Sequence, residues 1–349
     1  MSPRTGFADV LKPIYRGAEV NAVLTFSPLV EELPLIRVHT AAALLVFYTF
    51  LYVAPFYLSS ATRPSATISR NVPSVIKARI RSVTWTCALC TICTSLLLTY
   101  LPTSGTCLTT LHLMGYHPAG LLPSLRALLL TAILFLGPLF EAGIVEGNWR
   151  SWVRLRGLKT LWHDLPTYRN LVAGPITEEV LFRSASLPLF LLSPASLSTT
   201  FLLPPLVFGL AHIHHIYEFR ISNPSAPLLL GIIRSVVQLM YTTLFGSFAT
   251  FLYLRTGSLV AVILCHTFCN WMGLPRFWGR VEGGGAESVM GPDSGGDQGK
   301  GDNSQGPESR AELGVSWTIA YYALLVVGTV GFYQYFWVLT ESDNGLLDF

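Results

Sequence analysis

Residues 235–275 are SVVQLMYTTLFGSFATFLYLRTGSLVAVILCHTFCNWMGLP, and they form two apolar runs joined by the short breaker Arg-Thr-Gly-Ser. Neither 235–254 nor 256–275 contains an Asp, Glu, Lys or Arg. A hydrocarbon core about 30 Å thick needs roughly 20 apolar residues per helix, so each run is long enough to cross a membrane. The Gly-containing joint between them is typical of a tight connection. The stretch therefore predicts two consecutive membrane helices.

The rest of the chain repeats this pattern. Residues 40–62, 82–125 and 313–340 also contain no Asp, Glu, Lys or Arg. The composition is 51% hydrophobic and 12% charged, which is more apolar than a soluble chain of 349 residues needs for its core. Helices are predicted at about 38–58, 83–101, 120–140, 170–192, 197–215, 232–254, 257–274 and 315–339. We therefore expect an all-α fold, a polytopic membrane bundle of about eight transmembrane helices.

Positive charge in the loops predicts how this bundle is oriented. Two loops are basic, after the first and third predicted helices; they carry Arg63, Arg70, Lys77, Arg79 and Arg81, and Arg150, Arg154, Arg156, Lys159 and Arg169. The intervening loops 102–119 and 193–196 carry no Lys or Arg. We therefore expect the odd-numbered loops to face the cytosol. The basic residues near the N-terminus (Arg4, Lys12, Arg16 and Arg37) favour the opposite orientation.

Two segments differ from the membrane helices. Residues 144–168 are amphipathic and rich in Trp and Arg, a pattern that predicts a helix lying at the headgroup level. Residues 281–310 contain nine glycines and no aromatic residue. Such a composition buries too little to order itself, so we predict a flexible cytosolic insertion at 279–312, before the last helix. Basic clusters interleaved with aromatic residues are absent, which argues against a nucleic-acid partner.

The segment GPITEEVLFRS, residues 174–184, places three charged side chains inside a predicted membrane helix. Ionisable groups in hydrocarbon are costly and suggest function. Glu179 and Arg183 are four residues apart, so they share a helix face and can pair, whereas Glu178 points elsewhere and can face a cavity. The alternative is a buried ion-pair cluster that only fixes helix packing.

Two further pairs of residues, each with a polar member, are four apart and so have helical spacing. Phe208 and His212 lie in FGLAHIHH, and His266 and Asn270 lie in LCHTFCNWMG. Taken singly, His212 is better explained as a satisfied core residue, and His266 with Asn270 by hydrogen bonding between helices. At 1.5 Å per residue, however, Glu178 and these polar residues all fall in the cytosolic half of the membrane, where one cavity can hold them. A carboxylate, two imidazoles and an amide are what water-activated amide hydrolysis needs: a base for the water and donors for the oxyanion.

Three stretches of the chain resemble a known family. The stretches YRNLVAGPITEEVLFRS, FGLAHIHH and LRTGSLVAVILCHTFCNWMGLP closely resemble the eukaryotic type II CAAX prenyl endopeptidases, the Ras-converting endopeptidases. These belong to the wider CPBP intramembrane protease group, also called the abortive-infection family. The three group motifs EExxxR, FxxxH and HxxxN occur in the family's order, as Glu178, Glu179 and Arg183, then Phe208 and His212, then His266 and Asn270. The likeness covers about residues 145–275.

The resemblance implies an endopeptidase that removes the aaX tripeptide from CAAX proteins, such as Ras-like small GTPases, already farnesylated or geranylgeranylated on the CAAX cysteine. Glu178 and His212 would activate water, while His266 and Asn270 would stabilise the oxyanion. Glu179, Arg183 and Phe208 would be supporting residues, and the reverse assignment of the two glutamates stays open. No cofactor and no metal are implied.

The resemblance also implies a domain organisation and a cellular location. The chain 1–349 would form one membrane-embedded domain with its catalytic core at about 145–275 and its last transmembrane helix at about 315–339. We expect it in the endoplasmic reticulum membrane, in contact with lipid, with an intramembrane catalytic cavity open to the cytosol.

Three alternatives use the same residues differently. Glu178, His212 and His266 supply the two imidazoles and one carboxylate of a zinc site, although the HExxH helix of the other CAAX protease class is absent. Cys265 and Cys269 flank His266, as a cysteine protease would need, but their spacing points them off its face. A non-catalytic scaffold or a transporter needs only the buried polar cluster.

Overall fold

The structure is a computed structural model that describes residues 35–65, 67–101, 106–283 and 313–347, with the backbone alone for residues 156 and 158–160. Every regular element in these ranges is a helix, which confirms the all-α fold. Most of the predicted glycine-rich insertion, from residue 284 to 312, lies outside the described residues.

Helices occur at all eight predicted places. They are α1 (Val38–Val53), α2 (Pro73–Tyr100), α3 (Leu121–Leu134), α4 (Gly174–Glu179), α5 (Leu197–Ala211), α6 (Leu228–Thr256), α7 (Leu259–Met272) and α8 (Val315–Thr340). Shorter α-helices are Pro55–Leu58, Cys107–Leu113, Leu136–Phe140, Trp149–Val153, Arg156–His163, Leu165–Tyr168, Leu187–Leu191 and His215–Ser222. Three π-helical turns are Glu141–Val145, Arg169–Ala173 and Val180–Ala185.

The described residues contain five helices that are long and apolar enough to cross a membrane: Val38–Leu58, Pro73–Tyr100, Leu197–Ser222, Leu228–Thr256 and Val315–Thr340. A sixth is present if Leu121–Leu134 and Leu136–Val145, which meet at 80°, form one bent span. The chain is therefore a multi-pass membrane protein. The number eight stays a prediction, because α7 has only 14 residues and the predicted fourth span is divided into short pieces.

The outer surface fits a lipid environment. Large apolar side chains point outward from four of the long helices, including Phe50, Trp85, Leu229 and Tyr333, each more than 60% exposed. A soluble protein rarely presents apolar patches of this extent. Because lipid tails cannot hydrogen-bond the backbone, helices are the expected form for such outward faces.

The predicted fourth span is the centre of the bundle. Residues 181–193 are all buried. Leu181 and Phe182 pack with α1 and α2 in one core cluster, while Leu187 packs with α6 and α7 in another. A segment that is buried on all sides has to be apolar all round, so the charged side chains within it need partners.

Two π turns interrupt this central segment on either side of α4. Pro175 and Pro188 each stand in the first turn of the α-helical piece that follows a π turn. Proline has no N–H and its ring clashes with the carbonyl four residues earlier, so a wider turn relieves both problems. The Ser186 hydroxyl donates to the Leu181 carbonyl, five residues back, at 2.7 Å. Glu178 and Glu179 thus lie on a short helix between two π turns, a feature frequent at functional sites.

The amphipathic segment differs from its prediction. Instead of one helix over 144–168, the structure has Trp149–Val153 and Arg156–His163, separated at Leu155, whose φ is 52°. A residue in the left-handed region cannot continue a right-handed helix, which explains the break. Val153 and Trp162 are exposed on these two helices. Their position at the headgroup level stays a prediction.

The glycine at the end of α6 has a backbone conformation and a close neighbour that should exclude any side chain. Gly257 ends α6 with φ +60°, and an added Cβ would meet the Asn344 carbonyl of the C-terminal segment. Gly147 has φ +74° but nothing within 4 Å of its Cβ position. We therefore expect Gly257→Ala to lower the free energy of unfolding by about 2–4 kcal/mol, and Gly147→Ala by about 1 kcal/mol. Unfolding in mixed micelles of mild detergent and sodium dodecyl sulfate measures both; equal losses would contradict the predicted clash.

Candidate active site

Four predicted residues line one cavity of about 1580 Å³. They reach it from three elements: Glu178 from α4, His212 from the end of α5, and His266 and Asn270 from α7. The breaks around α4 and the end of α5 at Ala211 bring these side chains to the same space. The sequence prediction that one cavity holds them matches the structure.

Glu178 lies between the two imidazoles. Its Oε2 is 3.8 Å from His266 Nε2 and 4.0 Å from His212 Nε2, and its side chain is 22% exposed. These separations are longer than hydrogen bonds. They are short enough for one water molecule to contact the carboxylate and an imidazole together. Glu178 and one of the imidazoles can therefore act on the same water.

The other carboxylate orients His266. Glu179 Oε1 is 2.6 Å from His266 Nδ1. A carboxylate accepts, so the hydrogen-bond network assigns the proton to Nδ1 and leaves Nε2 facing Glu178. A carboxylate on one imidazole nitrogen fixes the orientation of the ring and the chemistry of the other nitrogen. Glu179 therefore holds the His266 ring in place, a contact that the sequence analysis, which paired Glu179 with Arg183, did not predict.

Glu179 also forms the predicted pair with Arg183. Arg183 Nη1 is 3.0 Å from both carboxylate oxygens, and the side chains are 0% and 1% exposed. Arg183 Nη2 donates to the Gly246 carbonyl of α6 at 3.2 Å. The two buried charges are therefore paired, and Glu179 Oε1 and the guanidinium are also hydrogen-bonded, as buried charges need to be.

Phe208 explains why the FxxxH spacing suits this site. Its ring lies under the Arg183 guanidinium, 4.6 Å from the ring centroid, and packs against Phe182 at 5.0 Å. Its carbonyl accepts from His212 Nδ1 at 2.8 Å. The carbonyls of the last helical turn lack helical partners and are free for such bonds. One residue therefore supports Arg183 through its ring and orients His212 through its backbone.

Asn270 lies one turn beyond His266 on α7. Its Nδ2 donates to the Asn170 carbonyl at 3.1 Å, and the residue is exposed. A carboxamide carries two N–H groups, so it can hold Asn170 and still donate to a second acceptor in the cavity. Asn270 therefore joins α7 to the π turn that precedes α4.

An ion pair between Arg276, just after α7, and Glu141 fixes the segment that follows α7. Arg276 Nε and Nη2 donate to Glu141 Oε1 at 3.1 and 2.7 Å. This hydrogen bond raises the pKa of Arg276. Burial, and secondarily the charge of Glu141, raise the pKa of Glu146. The Arg276 backbone N–H donates to the Tyr321 hydroxyl of α8 at 2.7 Å, so the end of α7 is held by α8 and by the turn after α3.

The structure places the predicted zinc ligands and the two cysteines differently from what a zinc protease or a cysteine protease would need. Among the described residues, one group of three ligand atoms lies within 4.8 Å, and it is His214, His215 and Glu218 rather than the predicted zinc set. Glu218 is also paired with Arg70 and Arg79. Cys265 is buried and accepts from the Thr131 hydroxyl at 3.3 Å, whereas Cys269 lines the cavity.

A bundle of membrane helices around a cavity lined by a carboxylate and imidazoles is the arrangement expected of an integral membrane hydrolase. A family model described as Type II CAAX prenyl endopeptidase Rce1-like matches residues 160–272. The chain belongs to the type II CAAX prenyl endopeptidase family, and it is an endopeptidase. The resemblance drawn from the three motifs is thereby confirmed.

Three curated relatives illustrate the similarity. "Probable CAAX prenyl protease 2" of Schizosaccharomyces pombe is 33% identical over 85% of this chain and 93% of its own length. "CAAX prenyl protease 2" of Homo sapiens is 37% identical over 67% of this chain and 72% of the relative. The Saccharomyces cerevisiae protein of the same name is 28% identical over 66% and 79%. No solved structure matches this chain significantly.

Proposed function

We propose that this protein cleaves prenylated CAAX proteins between the modified cysteine and the next residue, releasing the aaX tripeptide. The observation that carries the proposal is the placement of Glu178 Oε2 at 3.8 and 4.0 Å from two imidazole nitrogens in a membrane cavity of a CAAX endopeptidase family member. That array has a base for water and donors for an oxyanion in one place.

In the first step Glu178, assisted by His212, takes a proton from water while the water oxygen bonds to the carbonyl carbon. The carbonyl oxygen becomes an oxyanion, which accepts hydrogen bonds from His266 Nε2 and Asn270 Nδ2. His266 can donate from Nε2 only as an imidazolium, since Glu179 already accepts from Nδ1. With Glu178 and Glu179 ionised and Arg183 charged, a protonated His266 makes the cluster neutral, which a low-dielectric site favours.

In the second step the carbon–nitrogen bond breaks and the proton held at Glu178 passes to the leaving nitrogen. The prenylcysteine is left with a carboxyl group, whose proton passes to the new amino group of the tripeptide, so the products are a carboxylate and an ammonium and water is the only co-reactant. Glu179 and Arg183 take no proton in this sequence; they hold His266 and each other in place.

The cavity supports a substrate with a lipid chain. Five aromatic rings of α6 and α8 line it: Phe245, Phe248, Phe251, Phe332 and Phe336. An isoprenoid, farnesyl or geranylgeranyl, matches such a surface and reaches it from the bilayer. We place the protein in the endoplasmic reticulum membrane with the cavity open to the cytosol, where Ras-like small GTPases carry prenylated tails.

The test is a cleavage assay with purified full-length protein in lipid nanodiscs. A farnesylated CAAX peptide and the same peptide without the lipid are incubated with it, and mass spectrometry follows the tripeptide and the shortened peptide. We expect the tripeptide from the farnesylated peptide at a much higher rate. Activity is expected to survive exhaustive chelation with no zinc found by elemental analysis; activity lost on chelation and restored by zinc would favour the zinc alternative. No release by the active preparation would favour a scaffold or a transporter.

The cysteine alternative has its own test. We expect the double variant Cys265→Ala and Cys269→Ala to retain turnover within about threefold, since neither thiol is needed when water is the nucleophile. The same nanodisc assay measures kcat. A loss as large as that of Glu178→Gln would instead make a thiol the nucleophile.

A further inference from the structure

Asn170 lines the same cavity as the reacting groups, and its side chain has no part in the two steps of hydrolysis. The residue belongs to the π turn that leads into α4. Its carbonyl accepts from Asn270 Nδ2 at 3.1 Å, so Asn170 is in direct contact with one of the two proposed oxyanion donors. The Asn170 carboxamide, carried by the same residue, is therefore held at the edge of the reaction site.

One hydrogen bond fixes how the Asn170 carboxamide is oriented. Arg169 Nε donates to Asn170 Oδ1 at 2.9 Å. A guanidinium has no acceptor, so it selects the oxygen of the carboxamide and leaves Nδ2 with two N–H groups. Among the described residues none accepts from Asn170 Nδ2, and this atom is accessible rather than buried. Asn170 thus presents donors that the fold itself does not use.

Gly174 leaves open space between Asn170 and Glu178. The three residues are spaced four apart on one continuous helical segment, and all three line the cavity. A Cβ built at Gly174 would meet Glu178 Oε1 at 3.9 Å and the Arg169 carbonyl at 3.1 Å, and outside its own helical turn no other described atom lies within 4 Å. The Glu178 carboxylate therefore reaches back over a position without a side chain, in the direction of Asn170.

The size of this space fits a peptide backbone. Gly174, which the Glu178 carboxylate reaches, is four residues from Asn170, about 6 Å along a helix axis. An extended peptide covers about 3.3–3.6 Å per residue, so two residues span that separation. A peptide carbonyl without a donor is costly in apolar surroundings. A substrate with its scissile carbonyl at Glu178 therefore has another carbonyl within reach of Asn170, where a donor is present.

We infer that Asn170 donates from Nδ2 to a backbone carbonyl of the substrate within two residues of the scissile bond. Asn170 thereby holds the peptide in register with Glu178 and Asn270. The inference rests on the proposed function and deepens it, because it names a further residue of the peptide-binding site. Asn170 binds substrate and takes no proton in the reaction.

Asn170→Asp and Asn170→Ala test the donor directly. Aspartate keeps an acceptor for Arg169 Nε but replaces the two N–H groups by a second oxygen, whereas alanine removes the acceptor and the donors together. We expect each variant to lower kcat/KM for a farnesylated CAAX peptide by about 10- to 100-fold, mainly by raising KM, because a buried carbonyl is left without its donor. The unfolding midpoint of Asn170→Asp is expected to stay close to that of wild type.

Asn71 supplies a matched control. Its Oδ1 accepts from Nη1 of the same Arg169 guanidinium at 3.1 Å, but Asn71 is exposed and does not line the cavity. Asn71→Asp therefore makes the same change of charge beside Arg169, outside the site. We expect this variant to cleave the farnesylated peptide with the wild-type kcat/KM.

Altered substrates identify the partner carbonyl. Farnesylated peptides are made in which one peptide bond at a time, within two residues of the scissile bond, is replaced by an (E)-alkene that has no carbonyl. We expect one replacement to lower kcat/KM of the wild-type protein by about 10- to 100-fold. The same replacement should have little further effect on Asn170→Ala, because an interaction that is already absent cannot be lost again.

The outcomes separate the two proposals. An Asn170→Asp variant with wild-type kcat/KM would overturn the inference and leave Asn170 as a support for Arg169. Losses that add fully in Asn170→Ala for every alkene peptide would overturn it too, as would a joint loss of kcat and of unfolding stability in both variants. In each case cleavage by the wild-type protein leaves the endopeptidase function standing. Failure of the wild-type protein to cleave the unaltered farnesylated peptide would end the proposed function, and this inference with it.

Discussion

Glu178→Gln is expected to reduce kcat for tripeptide release by about 10²- to 10⁴-fold, the range attributed to a general base. Glutamine has nearly the same shape as glutamate but cannot take a proton from water. Glu178 is 22% exposed and its two imidazole neighbours are beyond hydrogen-bond distance, so the substitution breaks no buried bond. We therefore expect the unfolding midpoint to stay close to that of the wild-type protein.

The control is Glu341→Gln, which removes an exposed carboxylate at the end of α8. This variant is expected to cleave the farnesylated peptide at the wild-type rate. A Glu178→Gln variant with substantial kcat would transfer the base role to Glu179 or leave the scaffold alternative in place. The combination of lost activity and retained stability distinguishes a chemical role from a structural one.

Local spacing predicted the contacts that lie within one helix. Glu179 and Arg183, and Phe208 and His212, are four residues apart, so the helix repeat alone brings them together. Both pairs are in contact in the structure, the second through the Phe208 carbonyl. The apolar runs predicted the all-α membrane fold for the same reason, since their length and composition are local properties.

Contacts between residues far apart in the sequence could not be predicted from local spacing. Glu179 and His266 are 87 residues apart, and no repeat or spacing connects them, so the bond that orients the imidazole appeared only with the fold. The π turns around α4 were missed because a Pro within an apolar run marks a break but does not fix its geometry. The short α7 was predicted as a full span because length along the sequence overestimates a helix that ends at Gly273 with φ +66°.

Arg183→Met is expected to have the largest effect on stability, lowering the free energy of unfolding by about 3–5 kcal/mol, the range for breaking a buried ion pair by removing one partner. Methionine fits the space next to Phe208 but leaves the Glu179 carboxylate, which is 0% exposed, without its cation. Equilibrium unfolding in mixed micelles of mild detergent and sodium dodecyl sulfate measures the loss. A variant as stable as wild type would show that Glu179 is not ionised in the folded protein.

A double variant separates the stability of this pair from its role at the site. Glu179→Leu with Arg183→Met replaces both charges by apolar groups, and buried ion pairs exchanged in this way are often neutral or stabilising. We therefore expect the double variant to recover most of the stability that Arg183→Met loses. Activity should stay low, because His266 Nδ1 no longer has the carboxylate at 2.6 Å that orients the ring. Recovery of kcat together with stability would mean that the pair only supports the fold, and that His266 needs no carboxylate to act.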